Sequence, residues 1–354
     1  MRVRVVTAKS AALLRSLLLA AGAMAAIAPL SSAAGLQQAV HFADTTPLAG
    51  SVELARRLLT PLAFQQLQHY LAAHAGTMRA QPLDPAQEKF VVHVPTGAPP
   101  AGGYGLLVFV PPWPQAALPP GWSPTLDRHE LIFVSAANSG NAADVMDRRV
   151  PLALLAWANI RKQYPLDPAR VYVGGFSGGS RVALRIALAY PDVFRGALLD
   201  AGSDPIGKPP VSLPPADLFH RFQQDTRLVY LTGGQDEAHG RMDEASRQSM
   251  QEWCVAGVDT VAMPRLGHEV AEPVALARAL DALVRPPAVD AGKLAACRAR
   301  YERALSSRLA EVAATLAQGD RARVRPQLAA IDRRYGGLAA AALLEWEARL
   351  DAKP

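Results

Sequence analysis

One serine in this chain has neighbours that suit it to nucleophilic attack. Ser177 stands in Gly175-Phe176-Ser177-Gly178-Gly179, a G-x-S-x-G pattern. The run before it, Arg170-Val171-Tyr172-Val173-Gly174, alternates β-branched and aromatic side chains and predicts a short buried strand. Residues 182–190, after it, have helical composition. Strand, tight turn and helix in that order make the pattern a nucleophile elbow. Such a turn is so sharp that a Cβ at a flanking position collides with the neighbouring strand or helix. The strained backbone lifts Ser177 Oγ above the carboxyl edge of a sheet. There, at the amino end of the helix, the N–H of Gly178 faces a developing oxyanion. The competing reading, a glycine-rich turn for phosphate, lacks both G-x-x-x-x-G-K-[ST] and G-x-G-x-x-G.

A hydroxyl is a poor nucleophile near neutral pH, so Ser177 needs a base, and the base needs an orienting group. An elbow of this kind is followed in chain order by an acid and then a histidine, each on a loop after a later strand. Gly233-Gly234-Gln235-Asp236-Glu237 follows one predicted strand, and Pro264-Arg265-Leu266-Gly267-His268 follows the last. Asp236 is thus the expected orienting carboxylate, with Glu237 and Asp243 as alternatives. His268 is the expected base, with His239 next in line; the plain alternative for His268 is a packed loop histidine. The second oxyanion donor belongs on the loop after residues 106–110. That loop reads Pro111-Pro112-Trp113-Pro114, and proline has no N–H. Trp113 is therefore the first residue able to donate, unless it is only a turn aromatic. Asn138-Ser139-Gly140-Asn141 is expected at the rim, or as turn and capping chemistry.

These groups need a scaffold. Residues 51–59 and 62–71 predict two amphipathic helical pieces around Pro61, with His69 and His74 on the surface. Residues 90–94 predict the first strand, and 106–110, 131–135, 170–174, 196–200, 227–232 and 260–263 the others, bounded by Pro, Gly or Asn. Helical spacing runs over 149–163, 241–253 and 273–284. Alternating strands and helices imply an α/β fold with a mostly parallel sheet flanked by helices. The stretch 200–227, where a lid would fall, is proline-rich and too short for a large cap, so an open site is expected. Residues 290–351 are Ala/Arg/Leu-rich and predict two or three helices divided at Gly319 and Gly336-Gly337. The chain divides into a leader (1–34), an N-terminal helical segment (35–89), a catalytic domain (90–285) and a C-terminal helical segment (286–354).

Arg2, Arg4, Lys9 and Arg15 precede an apolar run over 17–28 and small residues at 31–34, the layout of a cleavable secretory signal. The run falls short of the roughly 18 apolar residues of a spanning helix. A periplasmic or secreted protein is expected, with no stable membrane anchor after cleavage. The formal charge is +6; losing the four basic side chains of the leader leaves about +2, too little for a nucleic-acid-binding field. Two cysteines, Cys254 and Cys297, suit one disulfide in an oxidising compartment and lack metal-ligand spacing.

The run 167–179 (DPARVYVGGFSGG), followed by Tyr190-Pro191-Asp192-Val193-Phe194, resembles the α/β-hydrolase superfamily. More narrowly, it is similar to secreted poly(3-hydroxybutyrate) depolymerases and to feruloyl or acetylxylan esterases; Trp253-Cys254 before the final strand fits the same pattern. The resemblance spans about residues 90–285. It implies an α/β-hydrolase fold, carries Ser177, Asp236 and His268 into a triad, and leads to a serine esterase that requires no cofactor; the open site expected from the short lid stretch would admit a bulky or polymeric ester. The chain departs from the pattern where Pro111-Pro112 replaces the usual His-Gly and where disulfide-rich loops are missing. A serine peptidase of the same fold and a catalytically inactive binding protein are the other readings.

Overall fold

The computed structural model describes residues 34–351; the leader expected over 1–34 lies, but for Ala34, outside the described residues. Eight strands form one sheet: β1 (Gly35–Val40), β2 (Phe90–Val94), β3 (Tyr104–Val110), β4 (Leu131–Ala136), β5 (Leu166–Phe176), β6 (Gly196–Asp200), β7 (Arg227–Gly233) and β8 (Val258–Met263). Their spatial order is β1-β2-β4-β3-β5-β6-β7-β8. β2 runs antiparallel to β1 and β4, and every pair from β4 through β8 is parallel. The expected mostly parallel sheet is present, with one addition. The first strand is Gly35–Val40, not Phe90–Val94, so residues 35–89 are not wholly helical. β1 is a half-exposed edge strand of sequence GLQQAV whose polar pair masks any strand signal; its pairing to β2 makes it a strand.

The apolar runs of the central strands are continuous because both faces of the sheet are covered. Leu106, Val108, Val110, Val171 and Val173 belong to one core, and Leu107, Phe109 and Tyr172 to the other. The helices are α1 (Ser51–Leu58), α2 (Pro61–Ala73), α3 (Ser123–Arg128), α4 (Val150–Gln163), α5 (Gly178–Ala189), α6 (Ala216–Asp225), α7 (Glu237–Glu252), α8 (Pro273–Val284), α9 (Ala291–Ala317), α10 (Arg321–Tyr335) and α11 (Ala340–Asp351). α4, α5 and α6 feed the first core; α8 and Leu126 of α3 feed the second. Thr60 caps α2 by accepting the Ala63 N–H, and Pro61 fills its first position, which explains the break there. The proline-rich stretch at the lid position holds α6. Its Leu218, Phe219 and Phe222 are buried, so α6 is a crossover from β6 to β7. A turn of π-helix, Val145–Arg149, precedes α4.

The C-terminal helices join the first core through Val312, Val324, Leu328, Ile331 and Leu343. Asp332 accepts the Leu62 N–H at 3.1 Å, tying α10 to α2. Gly336, at φ 48°, and Gly337 press on residues 213–215, where a Cβ on Gly337 would stand 2.4 Å from Pro214 carbon. Arg334 lies over the buried Trp253 ring at 4.4 Å. Trp253 caps α7 rather than lying inside it, and Cys254 follows it at φ 64°.

Cys254 and Cys297 form a disulfide across a sequence separation of 43. Closing a loop of that size restrains the unfolded chain by about 4 kcal/mol on the chain-entropy account. Cys297→Ser is therefore expected to lower the unfolding midpoint and to open α9–α11 to protease, and the denatured, unreduced wild-type protein to present no free thiol to alkylation. An unchanged midpoint in the variant would show that packing alone holds these helices.

Candidate active site

Between β3 and β5 the chain order of the sheet reverses, because β4 lies on the other side of β3. Crevices outside carboxyl strand ends at such a switch are where open α/β sheets hold ligands. Ser177 sits there, between the end of β5 and the start of α5, at φ 55° and ψ −123°. That conformation is costly for a residue with a side chain. Its N–H donates to the Asp200 carbonyl of β6 at 2.8 Å, which helps hold it. Gly175 and Gly179 are demanded by close backbone approach: a Cβ on Gly175 would stand 2.4 Å from Gly179 carbon, and one on Gly179 would stand 1.9 Å from Val110 oxygen.

β7 and β8 deliver the other two groups. Asp236 is the N-cap of α7, its carboxylate accepting the His239 N–H. The loops carrying Asp236 and His268 are stitched together, Gln235 N–H to Leu266 oxygen at 3.0 Å and Gly234 N–H to Met263 oxygen at 2.9 Å. His268 Nε2 lies 3.0 Å from Ser177 Oγ, and its Nδ1 lies 2.7 Å from Asp236 Oδ2. The structure thus brings together the serine, histidine and aspartate that the sequence singled out. Glu237 is exposed and pairs with Arg241. Asp243 is buried beside Thr232, with its hydroxyl as a donor. Neither competing carboxylate is bonded to His268.

His239 adds what the sequence did not predict. Its Nδ1 is 2.9 Å from Asp236 Oδ1, and its ring stacks on His268 with centroids 4.0 Å apart and planes 14° apart. Asp236 therefore serves two imidazoles, one on each oxygen. Burial raises its carboxyl, but hydrogen bonds from His239 and His268 outweigh burial and hold it below the ordinary carboxylate value. Phe176 supports the other side of the His268 ring, 4.9 Å away, and Trp113 lies 6.2 Å beyond Phe176. Asp236, His239 and His268 also bring ligand atoms within 4.8 Å of one another. The two Nδ1–carboxylate hydrogen bonds account for that clustering, and a cation there would take Asp236 away from His268.

The loops after β3 and β4 form the opposite wall. Asn138 N–H donates to Pro114 oxygen at 2.6 Å and Asn141 N–H to Pro112 oxygen at 2.9 Å. Arg149 braces both loops from behind, with Nε on Ser139 oxygen and Nη2 on Pro111 oxygen. The resulting cleft holds about 390 Å³ beside Ser177 and Gly178, with Asn141, Arg149, Arg181 and Arg185 in its lining. Of the expected rim, Asn141 lines this cleft; the ring of Trp113, the expected oxyanion donor, packs beside Phe176. The arginines have a sequence signal of their own, for Arg181 and Arg185 stand four and eight residues after Ser177, the spacing of one helix face. Burial, reinforced by nearby Arg185, pushes Arg149 down to about 10.

Strand order, the antiparallel second strand and the elbow define an α/β-hydrolase fold, with a Ser-His-Asp constellation at its carboxyl edge. No protein-family model matches the chain, and no curated protein does. Among solved structures, a thermostable esterase is similar over 56% of this chain and 59% of its own, at 16% identity and a TM-score of 0.42. A ferulic acid esterase from Anaeromyces mucronatus is similar over 56% and 85%, at 14% identity and 0.42. A puromycin-hydrolysing peptidase of Mycobacterium tuberculosis is similar over 56% and 37%, at 17% identity and 0.37. The similar region thus spans under two thirds of the first esterase and of the peptidase. Similarity at this level carries no functional assignment; the chemistry rests on the site.

Proposed function

We propose that this protein is a serine hydrolase of carboxylic esters. The observation that carries the reading is the unbroken chain from Ser177 Oγ through His268 to Asp236, at 3.0 and 2.7 Å. Ser177 attacks the ester carbonyl while His268 Nε2 takes its proton. Asp236 holds the imidazole with Nδ1 protonated and Nε2 free to accept, and stabilises the imidazolium once formed. The N–H groups of Gly178 and Trp113 receive the oxyanion. His268 then gives its proton to the leaving alcohol, and an acyl-enzyme remains on Ser177. Water, deprotonated by His268, releases the acid. Every step uses side chains and backbone of this chain, and the reading invokes no cofactor.

The entry to the site is open, His268 being 40% exposed, which supports access by a bulky or polymeric ester. The reading includes export to the periplasm or beyond, supported by the leader-like residues 1–34 and by the Cys254–Cys297 bridge, which suits an oxidising compartment. A fluorophosphonate probe followed by peptide mass spectrometry tests the nucleophile, with an adduct on Ser177 expected. A paired panel of esters and amides tests the bond cleaved. Labelling with faster amide than ester turnover would replace the esterase by a peptidase. No labelling and no turnover would leave a binding protein on a hydrolase fold.

A further inference from the structure

The cleft beside Ser177 is cationic in a way the serine chemistry does not require. Arg181 and Arg185 reach it from α5, and Arg149 from the start of α4. Arg149 is only 4% exposed. Its two hydrogen bonds go to backbone carbonyls, and among the described residues no carboxylate pairs with it. Asp204 alone faces the other two guanidiniums, at 3.0 Å from Arg181 and 3.3 Å from Arg185. Arg185 Nε is buried with no hydrogen-bond partner. The remaining lining, Asn141, Val145, Val182, His239 and Met242, offers no anion. Three guanidiniums against one carboxylate leave two positive charges uncompensated. A buried charge without a partner is destabilising, so it persists where something else uses it.

We propose that the ester this site takes carries a carboxylate, seated on Arg149, Arg181 and Arg185. The inference rests on the serine-hydrolase reading and names its substrate class. A planar carboxylate matches the guanidinium fork, and Asp204 already displays that pairing in the same row. Since Arg181 and Ser177 line the same cleft, the anion would sit within a short reach of the scissile carbonyl and fix its position for attack.

Two matched pairs of esters test this, with kcat/KM as the readout. In the first, the 4-nitrophenyl monoester of glutaric acid is compared with 4-nitrophenyl pentanoate, placing the acid in the acyl part. In the second, 3-carboxyphenyl acetate is compared with phenyl acetate, placing it in the alcohol. The wild-type protein is expected to prefer the acidic member of at least one pair about tenfold or more, the scale of one charge-assisted hydrogen bond. Raising the salt from about 0.05 to about 0.5 M should shrink that preference. Arg149→Met should reduce the acidic-to-neutral ratio about tenfold. Because Arg149 also braces two loops, Arg181→Gln, at a side chain 43% exposed, is the variant that survives a folding defect, and it should move the ratio the same way. Calorimetry on Ser177→Ala should show glutarate binding more tightly than inorganic phosphate. Neutral esters cleaved as well as acidic ones overturn the proposal and leave the serine hydrolase standing; tighter phosphate binding overturns the carboxylate. An absence of turnover on all four esters, with no fluorophosphonate adduct on Ser177, overturns the hydrolase reading and this proposal with it.

Discussion

Ser177→Ala is expected to lower kcat on an aryl ester by about 10⁶-fold, the typical loss when a triad nucleophile is removed, while circular dichroism and the unfolding midpoint stay close to wild type. The substitution deletes one oxygen. The strained backbone at φ 55° is retained, since alanine at that position is no more strained than serine, and the N–H to Asp200 oxygen is a backbone contact that survives. Ser180, in the first turn of α5, is the control. Its Oγ is buried and lies 3.0 Å from Ser203 Oγ, so Ser180→Ala removes a hydrogen bond worth about 1 kcal/mol to the fold and leaves the nucleophile in place. If Ser180→Ala abolished turnover and Ser177→Ala did not, the elbow would hold the wrong oxygen.

Asp236→Asn should cost about 10⁴-fold in kcat, the scale seen when the acid of such a constellation loses its charge but keeps its shape. The reason is the tautomer. The carboxylate accepts a hydrogen bond from the protonated His268 Nδ1 at 2.7 Å, so Nε2 keeps a lone pair toward Ser177. An amide nitrogen at that oxygen's place would donate instead, forcing the proton onto Nε2, where it blocks acceptance of the serine proton. The position is unusually exposed to this fault because Asp236 also holds His239. An asparagine has one oxygen for two imidazoles, and they must compete for it. His239→Ala is the informative companion. It leaves the Asp236–His268 pair intact and removes the stacked ring with its hydrogen bond to the other Asp236 oxygen, so its loss of rate should be far smaller. A kcat for Asp236→Asn within tenfold of wild type would move the orienting role to another group.

The same residues show how the fold separates the expected Asp236 from its two alternatives. Asp236, Glu237 and Asp243 all follow β7, and composition does not rank them. The helix does. Asp236 caps α7 and so turns inward beside His268, Glu237 points to solvent in the first turn, and Asp243 packs beneath Thr232. β1 and α6 carry weak local signals for related reasons. β1 is short and half polar and becomes a strand by pairing with β2, and the prolines before α6 obscured the buried face formed by Leu218, Phe219 and Phe222.

By itself the sequence determined the elbow, with Ser177 at its tip, and the alternation of strands with helices. These are local: a glycine-flanked turn, a period of two along strands and one of about 3.6 along helices are set by steric limits within a few residues. The tertiary structure decided how the expected partners meet Ser177 and what else lines the cleft. His268 lies 91 residues after Ser177 and Asp236 lies between them, 32 residues before His268, and they converge because parallel pairing of β5 through β8 puts every carboxyl end on one edge. The stacked His239 and the uncompensated Arg149 depend on the packing of α7 and α4 against that edge. Such contacts are made between distant parts of the chain, and no local spacing encodes them.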